Sequence, residues 1–139
     1  GAKLAQVLGE RLDAMKARVA DAQPLVPEVM RAFRDKLSAR VAEAGAAPSD
    51  DRLQQEVVLF AARIDVDEEL ERLGTHVEEF RRVLGKGGAC GKRLDFLCQE
   101  LNREANTLGS KSVSPDLTRI SVELKVLIEQ MREQVQNIE

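Results

Sequence analysis

Gly91-Lys-Arg-Leu-Asp-Phe-Leu-Cys-Gln-Glu-Leu-Asn-Arg-Glu-Ala-Asn-Thr-Leu-Gly-Ser-Lys111 is the stretch that decides the fold. Leu94, Leu97, Cys98, Leu101, Ala105 and Leu108 recur at helical spacing, which predicts a helix with one apolar face. Asp95, Gln99, Asn102, Arg103 and Asn106 follow i, i+4, i+7, i+8, i+11 and fall on the opposite face. A merely solvated face is ordinarily filled with Glu and Lys. Two asparagines there form helix less readily, so their amides read as groups put to use. A C-cap with Gly109 in the left-handed position and Lys111 facing the last carbonyls accounts for the end of the segment. It leaves Asn102, Arg103 and Asn106 unexplained.

Working outward, Gly85-Lys-Gly-Gly-Ala-Cys-Gly91 before this helix is the Gly-rich loop of the chain. It fits neither GxxxxGK[ST] nor GxGxxG, although backbone amides at the start of the helix, with Lys92 and Arg93 beside them, could approach a phosphate. After it, Ser114-Pro115 supplies an N-cap and first-turn proline for a last helix burying Ile120, Leu124, Leu127, Ile128, Met131, Val135 and Ile138. Upstream, Asp65-Val-Asp-Glu68 resembles a capping box, so a helix begins there or the preceding one bends. Asp65, Glu68, Glu69, Arg72 and His76 form one stripe on the helix that runs to about Leu84. Before it, Asp50 or Asp51 can cap a helix that puts Leu53, Val57, Phe60 and Ala61 inside. Ala44–Ser49 reads as a loop. Pro27 suits the first turn of a helix carrying Met30, Phe33, Leu37 and Val41, and Pro24 ends or kinks a helix carrying Leu4, Val7, Leu8, Met15 and Val19. The expected fold is all-α: antiparallel helical hairpins forming a bundle of about five to six helices. Residues 1–49 would make an N-terminal hairpin and residues 50–139 a C-terminal helical domain. The first residues read as the middle of an amphipathic helix with no Met and no cap, so the chain is expected to be cut from something longer.

Composition agrees. Of the 139 residues, 43% are hydrophobic and 32% charged, too apolar for disorder, while aromatics are 3% with no Trp or Tyr, which disfavours a β-sandwich. Cys90 and Cys98 offer neither a disulfide framework nor zinc-site spacing, so a reducing, cytoplasmic setting is expected. No apolar run is long enough to span a membrane, and no signal peptide is expected before the first helix. Nothing resembles a Ser/His/Asp or Cys/His nucleophile arrangement. The net charge of −3 conceals an asymmetry, since residues 50–80 hold ten acids against three bases and residues 81–111 hold seven bases against three acids. Carboxylates beside bases suit metal next to phosphate. Two helices pairing through ion pairs would look the same, and capping plus an Arg72 pair with Glu68 or Glu69 would occupy the acidic stripe. A lone helical histidine such as His76 is more often a packing residue than an acid or base.

Three stretches resemble the bacterial YicC/YloC family: Gly91–Lys111, the ending Leu124-Lys-Val-Leu-Ile-Glu-Gln-Met-Arg-Glu-Gln-Val-Gln-Asn-Ile-Glu139, and Gln55-Glu56 through Ile64-Asp65-Val-Asp-Glu-Glu-Leu-Glu-Arg-Leu73 with His76. The resemblance covers essentially the whole chain, and Cys98 stands where the family would have an aliphatic residue. It implies a protein about twice this length with a β-rich N-terminal domain, cytoplasmic, assembled as homo-oligomers, expected to be hexameric rings, and acting as a divalent-metal-dependent endoribonuclease. The matching polar positions are Glu56, Asp65, Glu68, Glu69, Arg72 and His76, then Arg93, Asp95, Gln99, Glu100, Asn102, Arg103, Glu104, Asn106, Ser110 and Lys111.

On that footing Glu56, Asp65, Glu68 and Glu69 are expected to hold a divalent metal, Mg or Mn. His76, Glu100, Arg103 and Glu104 are expected at the chemistry, His76 as acid or base. Arg72, Arg93, Gln99, Asn102, Asn106, Ser110 and Lys111 are expected to hold RNA, the cations on phosphate and the amides on sugar, base or water. The alternative is a non-catalytic oligomerisation and RNA-binding module whose active site needs the missing domain. Few aromatics and a negative net charge argue against strong stacking and tight non-specific binding by this chain alone. A purely structural helical protein leaves Asn102–Thr107 without purpose.

Overall fold

Leu94, Leu97, Cys98, Leu101, Ala105 and Leu108 are all buried, as the period of the 91–111 stretch requires. The computed structural model describes residues 1–45 and 48–137, and the side chains of residues 48–51 lie outside that description. Its elements are α1 (Ala2–Ala22), a 3₁₀ turn (Gln23–Leu25), α2 (Val26–Ala44), α3 (Pro48–Lys86), α4 (Gly91–Ser110) and α5 (Pro115–Gln136). No strand occurs among the described residues. The expected Asp50 or Asp51 cap and the burial of Ile138 fall outside the described side chains, as do Ala46 and Ala47 of the expected loop.

One expected helix boundary, at Asp65, changes, and the one at Pro24 resolves as a kink. Pro24 sits in the 3₁₀ turn and kinks the chain without stopping it, so residues 2–44 are one bent helical run. The expected break at Asp65 does not form, and α3 continues for 39 residues. No Gly or Pro lies near Asp65 to interrupt the helix, Val66 is buried in the core, and the Asp65 carboxylate meets Lys111 Nζ at 2.9 Å. The result is four helical rods, slightly fewer than the sequence suggests.

α5 packs on α4 and α1, α4 on α3, and α1 also on α3, so one core joins Leu8, Leu12, Met15, Phe80, Leu101, Leu124 and Met131. α2 leans on α3. The first half of α3 therefore has α2 alone for cover. Leu53, Val57, Phe60 and Ile64, of which the first three are expected inside, are exposed, and Leu59 is the buried apolar residue of that stretch. Ser114 caps α5 by accepting from the Leu117 amide, with Pro115 in the first turn. Gly87 and Gly88 take φ of 70° and 78°, a left-handed pair that turns the chain from α3 into α4.

Gly109 has a different role from the one expected. It is helical, α4 runs on to Ser110, and the C-cap is Lys111 in a right-handed conformation. A Cβ at Gly109 would lie 2.5 Å from Ser121 Oγ, which itself donates to the Ala105 carbonyl at 2.7 Å. The glycine is there to let α5 approach α4.

Candidate functional site between α3 and α4

α3 and α4 run antiparallel, and the stripe Asp65, Glu69, Arg72, His76, Glu79 faces α4 along its length. As the residue number rises on α3 it falls on α4: Asp65 meets Lys111, Glu69 and Arg72 meet Glu104, and Glu79 meets Arg93 with 3.6 Å between Oε1 and Nη2. In the middle, His76, Glu100 and Glu104 each offer a ligand atom, and these atoms lie within 4.8 Å of one another.

Two of these carboxylates are buried. Glu69 is 6% exposed and Glu104 5%. Burial, then a hydrogen bond with Glu104 and the repulsion of its charge, pushes the Glu69 carboxyl up to about 7, against the lesser pull of Arg72 and Lys111. Glu69 Oε2 has no donor in reach, so it is satisfied when a proton is shared with Glu104. Arg72 spans the group, 3.8 Å from Glu69 Oε1, 3.9 Å from Glu104 Oε2 and 3.7 Å from Glu68 Oε2.

The residues expected to hold metal do not converge. Glu56 is about 20 Å along α3 from Glu69 at helical rise, and it pairs with Arg34 of α2. Asp65 is neutralised by Lys111, and Glu68 is exposed beside Arg72. Of that set Glu69 alone adjoins the cluster. The side chains whose ligand atoms do come together are His76, Glu100 and Glu104, three of the four residues expected at the chemistry. The fourth, Arg103, is exposed and makes no side-chain hydrogen bond or ion pair among the described residues.

The expected RNA contacts divide. Arg72, Arg93 and Lys111 lie along the α3–α4 seam. Gln99 and Asn102 face α5 across a cleft of about 180 Å³ shared with Glu129 and Arg132, and Gln99 Nε2 donates to Asp95 Oδ2 at 3.0 Å. Asn106 is exposed, and Ser110 Oγ donates to the Thr107 carbonyl, finishing the helix. Lys111 crosses to Asp65 and leaves the last carbonyls of α4 to its own backbone amide. Sequence reasoning missed the groove of about 790 Å³ that runs from His76 past Thr75 and Glu79 to Arg93 and Phe96. The signal that could have found it is Phe96 itself, an aromatic off the apolar stripe.

The family model for the C-terminal part of YicC-like endoribonucleases matches residues 22–139. The chain belongs to the YicC-like family. A probable endoribonuclease YicC of Haemophilus influenzae is 49% identical over 139 residues, which is all of this chain and 48% of that protein. A probable endoribonuclease YicC of Clostridioides difficile is 37% identical over 142 residues, again all of this chain and 48% of its own length. The chain thus spans about half the length of the curated relatives it matches. Among the described residues, no helix is long and apolar enough to cross a membrane.

Proposed function

We propose that this chain is the helical half of a cytoplasmic endoribonuclease, with RNA phosphodiester hydrolysis centred on His76, Glu100 and Glu104. The convergence of these three side chains, beside a buried carboxylate and a guanidinium, is the observation that carries the reading. One imidazole with two carboxylates suits a divalent ion of the Mg or Mn class, Mn better than Mg because of the nitrogen donor. When bound there, such an ion supplies Lewis-acid charge against the negative charge that builds on the phosphate. Glu69 and Arg72 orient Glu104, and Arg72 and Lys111 offer positive charge to the RNA backbone. Self-association, expected to be hexameric, belongs to the same reading, and the exposed stripe Leu53, Val57, Phe60, Ile64 supports it.

A second reading, a module whose active site is completed by another domain, draws on the chain's covering about half of its relatives. Cleavage of a structured RNA by the chain and by a full-length relative, with Mn²⁺ or chelator, separates the two. Metal-dependent cutting by the chain, abolished by Glu104→Gln, supports the first. Cutting by the longer protein alone, unaffected by Glu104→Gln or His76→Ala, overturns it.

A further inference from the structure

Gln99 and Asn102 supply two amides that the α3–α4 seam does not use, and they open instead on the cleft between α4 and α5. Asn102 lies about 200° round α4 from Glu100, so the helix itself separates the cleft from the seam. Cys98 and Ile128, both buried, form its apolar floor, and Glu129 and Arg132 of α5 complete its rim. The polar groups gathered here do not satisfy one another. Arg132 Nη1 stops 3.9 Å from Glu129 Oε2, and its Nε stops 3.9 Å from Asp95 Oδ1, each about 1 Å beyond a charge-assisted hydrogen bond. Asp95 Oδ1 is buried with no donor in reach. The exposed Asn102 amide makes no hydrogen bond among the described residues. Gln99 Nε2 is engaged by Asp95 Oδ2 at 3.0 Å, which leaves Oε1 of that amide to accept. An ion pair formed to join α4 and α5 would close to contact distance. Donors and acceptors held just apart are satisfied by something seated between them.

The cleft, about 180 Å³, falls below the range of drug-sized sites and has room for one ring system. Arginine, asparagine, glutamine and a carboxylate are the side chains that read nucleobase edges. Arg132 sets a donor beside the acceptor oxygens of Glu129. Guanine sets the acceptor O6 beside the donors N1–H and N2–H, so both Glu129 oxygens can accept while Arg132 donates to O6. Uracil turns a carbonyl toward the second Glu129 oxygen, and adenine and cytosine turn a ring-nitrogen lone pair toward it. None of those three satisfies both oxygens.

We infer that the α4–α5 cleft binds a guanine base, with Arg132 on O6, Glu129 on N1–H and N2–H, and the Gln99 and Asn102 amides at its remaining edge. Because α4 lies between, a base seated there is not at the cutting site. It belongs to a free nucleotide or to a neighbouring stretch of RNA, and its binding does not depend on the hydrolytic reading.

The test is to titrate GMP, IMP, AMP, CMP and UMP into the chain with chelator present, reading the side-chain amide NMR signals of Gln99 and Asn102. GMP is expected to shift both signals saturably. IMP keeps O6 and N1–H but lacks the N2 amino group, and should bind about 5- to 150-fold more weakly, with AMP, CMP and UMP weaker still. Glu129 and Arg132 are exposed, so replacing them leaves the core intact. Arg132→Ala should abolish the GMP shift, and Glu129→Gln should remove the preference for GMP over IMP. An oligouridylate carrying one guanosine, set against the same strand carrying inosine, tells the two sources apart. A shift with GMP assigns the free nucleotide, a shift with the guanosine strand alone assigns RNA, and either sustains the base site. Equal shifts with all five nucleotides would mark a phosphate contact and overturn it. So would a guanine-dependent shift that survives both substitutions in folded chains, or silence toward both GMP and the guanosine strand.

Discussion

Glu69 on α3 and Glu104 on α4 present their carboxylates to each other inside the helix seam, each almost fully removed from water. Two like charges cannot both be kept there, and the Glu69 carboxyl retains its proton up to about pH 7. Its unfolded value is 4.5, so between the two values the folded chain holds a proton that the unfolded chain has lost. The stabilisation is complete below 4.5 and disappears as pH rises through 7. Urea titrations from pH 5 to 8 should show stability falling by up to a few kcal/mol. Glu69→Gln should flatten that profile, and an equally steep profile in the variant would refute the assignment.

Mn²⁺ should raise the Tm of this chain if the cluster binds it. His76→Ala, Glu100→Gln and Glu104→Gln should each remove most of that shift. Glu56→Gln, on the remote pair with Arg34, should keep it. Loss of the shift in Glu56→Gln but not in Glu104→Gln would return the ligand set to the first half of α3.

Gly109→Ala gains about 1 kcal/mol of helix propensity but sets a methyl 2.5 Å from Ser121 Oγ and 3.2 Å from its Cβ. Net destabilisation of about 1–3 kcal/mol is expected. In a Ser121→Ala background the same substitution should cost less, since the nearer contact is gone. Additive penalties in a double-mutant cycle would show that the helices do not meet at this point.

Cys98 is buried, and burial followed by the nearby Asp95 charge pushes its thiol up to about 12. Cys90 is half-buried at the start of α4. A thiol reagent at neutral pH should titrate one cysteine in the folded chain and two in denaturant. Cys90→Ser should abolish the fast reaction, and two fast thiols in the native chain would contradict the packing of α4.

Helix periodicity reports which face is apolar, and so the α4 and α5 stripes were legible residue by residue. It cannot report whether a partner covers that face, which is why Leu53, Val57 and Phe60 were expected inside although α3 outruns its cover. The capping pattern at Asp65 misled for a related reason: its side chain is claimed by Lys111 on another helix, a contact beyond any local window. At the site, the stripe Asp65, Glu69, Arg72, His76 was readable, and so was the family resemblance. Which carboxylates meet depends on the antiparallel register of α3 and α4. That register moves the converging set from Glu56, Asp65 and Glu68 to His76, Glu100 and Glu104. Gly109 shows the same gap, since the space it yields belongs to Ser121.

α3 spans roughly 58 Å at helical rise with no proline after its first residue and no glycine before Gly74. It behaves as a stiff shaft whose far end extends beyond the four-rod core. The end bearing Leu53 and Phe60 is joined to Glu69 and His76 by unbroken helix, while Val66, Leu70, Leu73, Val77 and Phe80 anchor the latter part in the core. A partner seated on that end would thus lie on the same rod as the carboxylates and the imidazole, about 15–35 Å along the helix from them.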